Sequence, residues 1–303
     1  MGVSSWLRRF AWATLVANVA LVVTGGAVRL TGSGLGCPTW PRCNGGSFTP
    51  HGTIGPHQLI EFGNRTLTFI LVAIAVATFV AARQSGRRDL LRLSVVLGLA
   101  IPAQAVLGGI TVLTDLNPWV VSFHLILSLA IVSVAVLFLH RLDHPPVPPA
   151  RGTLPALAWT TYGVTWLVLY AGTVVTGSGP HAGDAKSPRN GLDPLQLSQL
   201  HADLVFLLIG LTVGMWFALR AAGADTRAVT ALAAVEVLQA SVGFVQYFAG
   251  LPVAVVMLHM LGAALVIAAA TWLLVSVLEP SAADQTWTTV DLHPRGQANR
   301  RTG

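Results

Sequence analysis

Residues 119–140 read WVVSFHLILSLAIVSVAVLFLH, a run without Asp, Glu, Lys or Arg that Pro118 opens and Arg141 closes. A bilayer core of roughly 30 Å takes about 20 such residues in one helix, so the stretch predicts a membrane span. Seven more stretches qualify, at about 10–28, 59–82, 90–113, 154–175, 197–219, 228–248 and 253–278. They predict an all-α integral membrane protein of eight transmembrane helices. Composition agrees, because charged residues make up 10% and AVILMFWYC residues 53% of the 303, with mean hydropathy +0.67. A soluble enzyme, a disordered chain and a coiled coil are excluded on those figures.

The formal net charge is +6, yet the basic residues are scattered in small groups between apolar runs and form no stripe, so nucleic acid is not the expected partner. Orientation accounts for them instead. Eight helices put both termini on one side, and with that side cytoplasmic the inner segments hold thirteen of the 18 Lys and Arg, from Arg8 and Arg9 to Arg295, Arg300 and Arg301. Arg29, Arg42, Arg65, Lys186 and Arg189 fall on or near the outer side. The positive-inside bias predicts a multi-pass plasma-membrane protein with both termini in the cytoplasm. Arg8 and Arg9 before an apolar run imitate a signal peptide, but the run is long enough to span and lacks a convincing small-residue cleavage site, so it reads as a retained first helix.

The chain also reads as one four-helix unit used twice. Gln104-Ala105-Val106-Leu107-Gly108 falls on Gln239-Ala240-Ser241-Val242-Gly243 at a shift of 135, and His124 falls on His259 at the same shift. Thr31-Gly32-Ser33-Gly34 matches Thr176-Gly177-Ser178-Gly179 at a shift of 145, each after an apolar helix and at the start of a long outer loop, 29–58 or 176–196. Expected units are an N-terminal four-helix bundle at 1–140, a Pro-rich cytoplasmic linker at 141–153 (RLDHPPVPPARGT), a C-terminal four-helix bundle at 154–278 and a polar cytoplasmic tail at 279–303.

Of the nine histidines, His124, His201 and His259 lie inside predicted helices, where an ionisable group is costly without a partner or a function. Counted from Pro118, Pro194 and Pro252, they sit six, seven and seven residues in, hence about 9–10 Å deep at 1.5 Å per residue. They share one layer. A single buried imidazole can be a packing residue, but His201 and His259, at equal depth on the sixth and eighth helices, suit heme iron held across a bundle. In the first half His124 is one member of the equivalent pair, and Asn64 stands opposite His201 at a shift of 137.

His57, Glu61 and Asn64 are spaced four and three apart and line one helical face. His57 is a candidate substitute ligand, although it lies seven residues, roughly 10 Å, above Asn64. Glu61 has two readings: an ion pair with Arg65 four residues on, or a proton donor and acceptor beside a reacting substrate. The only cysteines, Cys37 and Cys43, share the first outer loop. On an oxidising face they should pair, as a staple over the first half or in a redox role.

The run from Gly26 to Cys43 (GAVRLTGSGLGCPTWPRC), Glu61-Phe62-Gly63-Asn64-Arg65, and Gly177-Ser178-Gly179-Pro180-His181-Ala182-Gly183-Asp184 resemble the heme A synthase family over residues 10–278. The resemblance implies two pseudo-symmetric four-helix bundles that oxidise the C8 methyl of heme O to the formyl of heme A for cytochrome oxidase assembly. It implies heme b in the second half on His201 and His259, substrate heme O in the first half on His124, and a counterpart of the family glutamate at Glu61. Many members carry His where this chain has Asn64. That departure leaves His124 as the one strong axial ligand expected for the substrate heme, with the opposite face open near Glu61, or else brings in His57.

The chemistry implied is two successive hydroxylations of the methyl to a gem-diol that loses water. A bis-His heme has no free axial position and suits electron transfer, so the first-half heme is the one that reacts. Arg29 and Arg65 are candidate partners for heme propionates. Expected partners are heme O, an electron donor, membrane lipid, heme O synthase and cytochrome oxidase assembly proteins. Two rival readings are a diheme cytochrome b that only passes electrons and a heme-carrying assembly factor without catalysis. An electron carrier that stacks hemes across the membrane needs histidines at two depths, and here they occupy one.

Overall fold

The computed structural model describes residues 4–51 and 54–279. His293, Arg295, Arg300 and Arg301, from the expected inner tail, lie outside the described residues. Among those described, the regular elements are α1 (Ser5–Leu30), α2 (Pro56–Gln84), α3 (Arg88–Leu113), α4 (Pro118–Asp143), α5 (Thr153–Ser178), α6 (Pro194–Ala221), α7 (Arg227–Phe248) and α8 (Val253–Leu278). Most outrun the apolar stretches that predict them, because a cap ends a helix and the last apolar residue does not. The Ser4 hydroxyl accepts from Leu7 N, Asn117 accepts from Trp119 N, and Asp193 accepts from Leu195 N and Gln196 N. Pro56, Pro118 and Pro194 occupy first turns, where their missing N–H costs nothing.

Seven of the eight helices are long and apolar enough to cross a membrane. The other, α5, also has 26 residues, but threonines, tryptophans and tyrosines dilute its apolar run. Its Thr160, Thr161 and Thr165 hydroxyls donate to the carbonyl four residues earlier. That internal bond satisfies a hydroxyl away from water.

Helices α1–α4 form a ring in which each packs on the next and α4 closes on α1, and α5–α8 repeat the arrangement. The two bundles meet where α4 packs on α5 and α8, and α1 on α8. Val22, Leu129, Val132, Leu169, Ala264 and Ile267 fill that seam. Two further clusters occupy the inner ends. Leu7, Ala82, Leu90 and Phe138 fill the first bundle, while Met215, Val229, Leu232 and Leu273 fill the second. The dense cores thus lie below the predicted histidine layer, which sits in the outer half of each bundle.

The halves are tied at both ends. At the end that carries the long loops, Arg29 at the end of α1 donates from Nε to the His181 carbonyl (2.7 Å) and from Nη2 to that of Thr176 (3.0 Å), and Gly34 N donates to Gly183 O (2.9 Å). At the opposite end, Arg141 of α4 pairs with Glu279, and Ala150 N donates to Leu278 O (2.9 Å), so the linker lies against the end of α8. Burial pushes the Glu279 carboxyl up, and the Arg141 guanidinium pulls it back.

Removing one partner of a largely buried pair leaves a charge without compensation, at about 3–5 kcal/mol. Arg141→Ala should therefore lower the thermal midpoint of the purified protein. The double variant Arg141→Ala/Glu279→Ala should recover part of the loss, as read from a melting curve in detergent. Additive losses in the two single variants would show that the pair does not hold the inner seam.

Candidate functional site

Each intramembrane histidine ring lies against a glycine of the preceding helix. A Cβ built on Gly108 of α3 would stand 3.3 Å from Cε1 of His124 on α4, and one on Gly243 of α7 would stand 3.2 Å from Cε1 of His259 on α8. On Gly172 of α5 it would stand 3.1 Å from Cε1 of His201 on α6. Any side chain at these places would force the rings to move. The repeated glutamine makes matching bonds in the two halves. Gln239 Nε2 donates to the His259 carbonyl (2.7 Å), and Gln104 Nε2 donates to the His124 carbonyl (3.4 Å) and to Ser128 Oγ (2.9 Å). Gln, Gly and His therefore act together in both halves.

His201 Nδ1 lies 3.1 Å from the Val168 carbonyl of α5. A carbonyl accepts only from N–H, so the bond places the proton on Nδ1 and leaves the Nε2 lone pair available. The His201 and His259 ring centroids are 6.4 Å apart with planes at 74°. Two imidazoles bound trans to one metal at about 2 Å, with about 1.1 Å from nitrogen to ring centre, have centroids roughly 6.3 Å apart. The centroid spacing therefore matches that of two imidazoles sharing one metal. Two imidazoles supply two donors, which suits a metal that brings its other four in a porphyrin. His124 Nδ1, His259 Nδ1 and Asn64 Oδ1 are buried and have no hydrogen-bond partner among the described residues.

In the first half the structure separates the members of the predicted face on α2. His57 is exposed in the first turn, and its Nδ1 lies 2.9 Å from Ser33 Oγ, which in turn meets Thr31 Oγ1 at 2.8 Å. Its ring is thus tied to the start of the outer loop. Glu61 is buried; its Oε2 accepts from Cys37 N (2.6 Å) and its Oε1 from Arg65 Nε (3.1 Å) and Nη2. Arg65 Nη2 donates onward to the Cys37 carbonyl (3.0 Å), and both its terminal nitrogens reach that of Thr39 (3.3 Å). The ion pair clips the outer loop onto α2. Arg29 and Arg65, read from sequence as candidate propionate partners, both spend donors on protein carbonyls.

Cys37 and Cys43 are joined by a disulfide and are both fully buried. Between them Trp40 crosses to α3, where its ring occupies the space a Cβ on Gly109 would take. Gly109 adjoins Gly108, which faces His124, so the loop roofs the first-half site from α2 to α3. Sequence reasoning missed the roles of Trp40, Val168 and Gly172. It had Gln104, Gly108, Gln239 and Gly243 in hand as marks of duplication, and their matched spacing to His124 and His259 was the available signal.

A family model described as cytochrome oxidase assembly protein matches residues 8–187. That span includes Cys37, Cys43, Glu61, Asn64 and His124 and stops before His201 and His259. The chain is 31% identical over 179 residues to a heme A synthase of Lysinibacillus sphaericus, covering 56% of this chain and 58% of that protein. It is 26% identical over 178 residues to a heme A synthase of Geobacillus kaustophilus, with 56% of each chain covered. A protoheme IX farnesyltransferase of Halobacterium salinarum is 30% identical over 142 residues, 46% of this chain and 30% of that one. The chain spans little more than half the length of these two synthases.

Removing the clip should free the roof. Glu61→Ala should make the Cys37–Cys43 disulfide reducible at lower dithiothreitol concentration than in the wild-type chain, as followed by mass-tagging of the freed thiols. An unchanged reduction curve would show that the loop is held by other contacts.

Proposed function

The chain belongs to the cytochrome oxidase assembly protein family, and from that premise we propose that it works as a heme A synthase, oxidising the C8 methyl of heme O to a formyl group. The observation that carries the reading is the Gln, Gly and His arrangement present in both halves but completed by a second histidine in only one. The second half offers two imidazoles at the spacing one iron needs, and the first offers one imidazole, with an asparagine at the position that corresponds to His201. One half is built to saturate its iron and the other to leave a face open.

In this reading His201 and His259 hold heme b through Nε2, with Val168 fixing the tautomer of His201. A heme with both axial positions filled supplies one-electron transfer. Heme O is the substrate of the first half, held by His124, with Asn64 across from it because an amide is a poor iron ligand beside imidazole. Conversion of the methyl to the formyl replaces two hydrogens with one oxygen atom, a four-electron oxidation in which each of two hydroxylations consumes one O2, two protons and two electrons from the donor and releases one water. Two hydroxylations give a gem-diol that loses water. Glu61, one turn above Asn64, holds or moves a proton at its carboxylate, with Arg65 keeping it aimed. Trp40 and the disulfide loop shield the outer face. The basic inner segments support a plasma-membrane placement with both termini cytoplasmic. An electron donor, heme O synthase and oxidase assembly proteins are the partners this activity requires.

Extracting and identifying the hemes of the purified protein tests the reading. Heme A or hydroxylated heme O supports it, and protoheme alone under conditions of heme O supply favours the electron carrier. His201→Ala and His259→Ala should each remove most of the low-spin bis-His spectrum, and its retention in both would end that assignment. His124→Ala and Glu61→Gln should abolish heme A formation, the latter with heme b still bound. His57→Ala should retain substantial activity. Loss of an axial ligand in His57→Ala would transfer that role to His57, and full activity in Glu61→Gln would leave Glu61 as a structural partner of Arg65.

A further inference from the structure

Between α2 and α3, below the level of His124, lies an open apolar groove of about 350 Å³ lined in part by Val72, Ala75, Phe79, Gly98 and Pro102. Its size is at the small end of ligand cavities, roughly 300–1,000 Å³. Two residues of α3 make room for it. Gly98 has no side chain, and nothing lies within 4 Å of where its Cβ would be. Pro102 lacks the N–H that would bond the Gly98 carbonyl, and its ring crowds that turn of the helix.

The second half carries different residues at the equivalent positions. At the shift of 135 that relates α3 to α7, Gly98, Ile101 and Pro102 correspond to Ala233, Glu236 and Val237. At the shift of 137 that relates α2 to α6, Ala75 corresponds to Thr212. Thr212 Oγ1 donates to Glu236 Oε1 at 2.8 Å, with both residues buried, and so bridges α6 to α7. Where the second bundle has a polar bond between its helices, the first has an alanine and a groove. Within the helices the first half departs from the second at the ligand position Asn64 and again here.

The groove is also placed to continue the substrate site. Pro102 is six residues inward of Gly108, against which His124 lies, hence about 9 Å deeper, and Val72 is eight residues inward of Asn64, about 12 Å deeper. From Val72 to Phe79 it runs on for about 10 Å. The groove's upper end thus lies about two helical turns inward of Gly108 and Asn64. Exposed Val76 and Leu99 leave the side open to the membrane.

We propose that this groove receives the isoprenoid tail of the substrate heme and thereby lets the first half select heme O over tail-less protoheme. The inference rests on the reading that the first half takes heme O. Heme b has no such tail, and the half assigned to it has no need of a groove at the equivalent position.

The test is binding, not turnover. Heme O and protoheme are titrated separately into the detergent-solubilised full chain already loaded at His201 and His259. The wild-type chain should bind added heme O at least about tenfold more tightly than protoheme, an advantage that burying roughly two methylene groups' worth of apolar surface suffices to give. Gly98→Leu and Ala75→Phe, which fill the groove, should bring the ratio close to one without changing protoheme binding or the bis-His spectrum, which reports folding. Phe79→Ala removes tail contacts without filling space and should lower the ratio as well. An unchanged ratio in all three variants overturns the proposal, and release of a co-purified lipid by Gly98→Leu at an unchanged ratio assigns the groove to an acyl chain instead. A wild-type chain that discriminates through the groove yet never forms heme A keeps this inference and defeats the activity assigned above.

Discussion

Carrying imidazoles into membrane-spanning helices is the constraint on which the other features depend. A ring there has no water to bond, so it must be seated against backbone or bound to something that takes its lone pair. The chain meets the constraint with a glycine on the neighbouring helix beneath each ring, at Gly108, Gly172 and Gly243. These contacts bring α3 against α4, α5 against α6 and α7 against α8 at the depth of the rings. The two clusters with the most buried residues lie toward the ends away from the long loops.

Duplication supplies the frame, and departures from it supply the difference in chemistry. The two bundles share their helix order, their glutamine-to-carbonyl bonds and their long outer loops. They part at Asn64, where the second half has His201, and at Ala75 and Ile101, where the second half has Thr212 and Glu236. They part again in the outer loop, since only the first carries the disulfide and the Trp40 roof. Each departure falls on the same side of the molecule, the side proposed to handle the reacting heme.

Most of the fold was legible in the sequence because hydrocarbon imposes a length and a composition on every span. The helix ends were less so: Ser4, Asn117 and Asp193 add turns that hydropathy does not register, and α5 falls short of its neighbours in hydropathy because a threonine scores as polar even when its hydroxyl is satisfied within the helix. Within the site, the depth of His124, His201 and His259 and the proximity of Glu61 to Arg65 followed from spacing alone. The link from Glu61 to Cys37 N and the lie of Trp40 over Gly109 did not, since both depend on how a loop folds back onto helices far from it in sequence. No periodicity carries that information.

The seam between the bundles has a consequence of another kind. α4 and α8, which carry His124 and His259, pack directly on each other, with Leu129, Val132, Ala264 and Ile267 buried between the bundles. Close-packed side chains of this kind do not compress or slide by small amounts. On the proposed assignment, the gap an electron crosses is set by two helices locked back to back and pinned inside and outside. Since electron transfer weakens steeply with separation, that packing works as a clock: substitutions that loosen Val132 or Ile267 would act on the tempo of successive oxidations without touching any group that binds a heme.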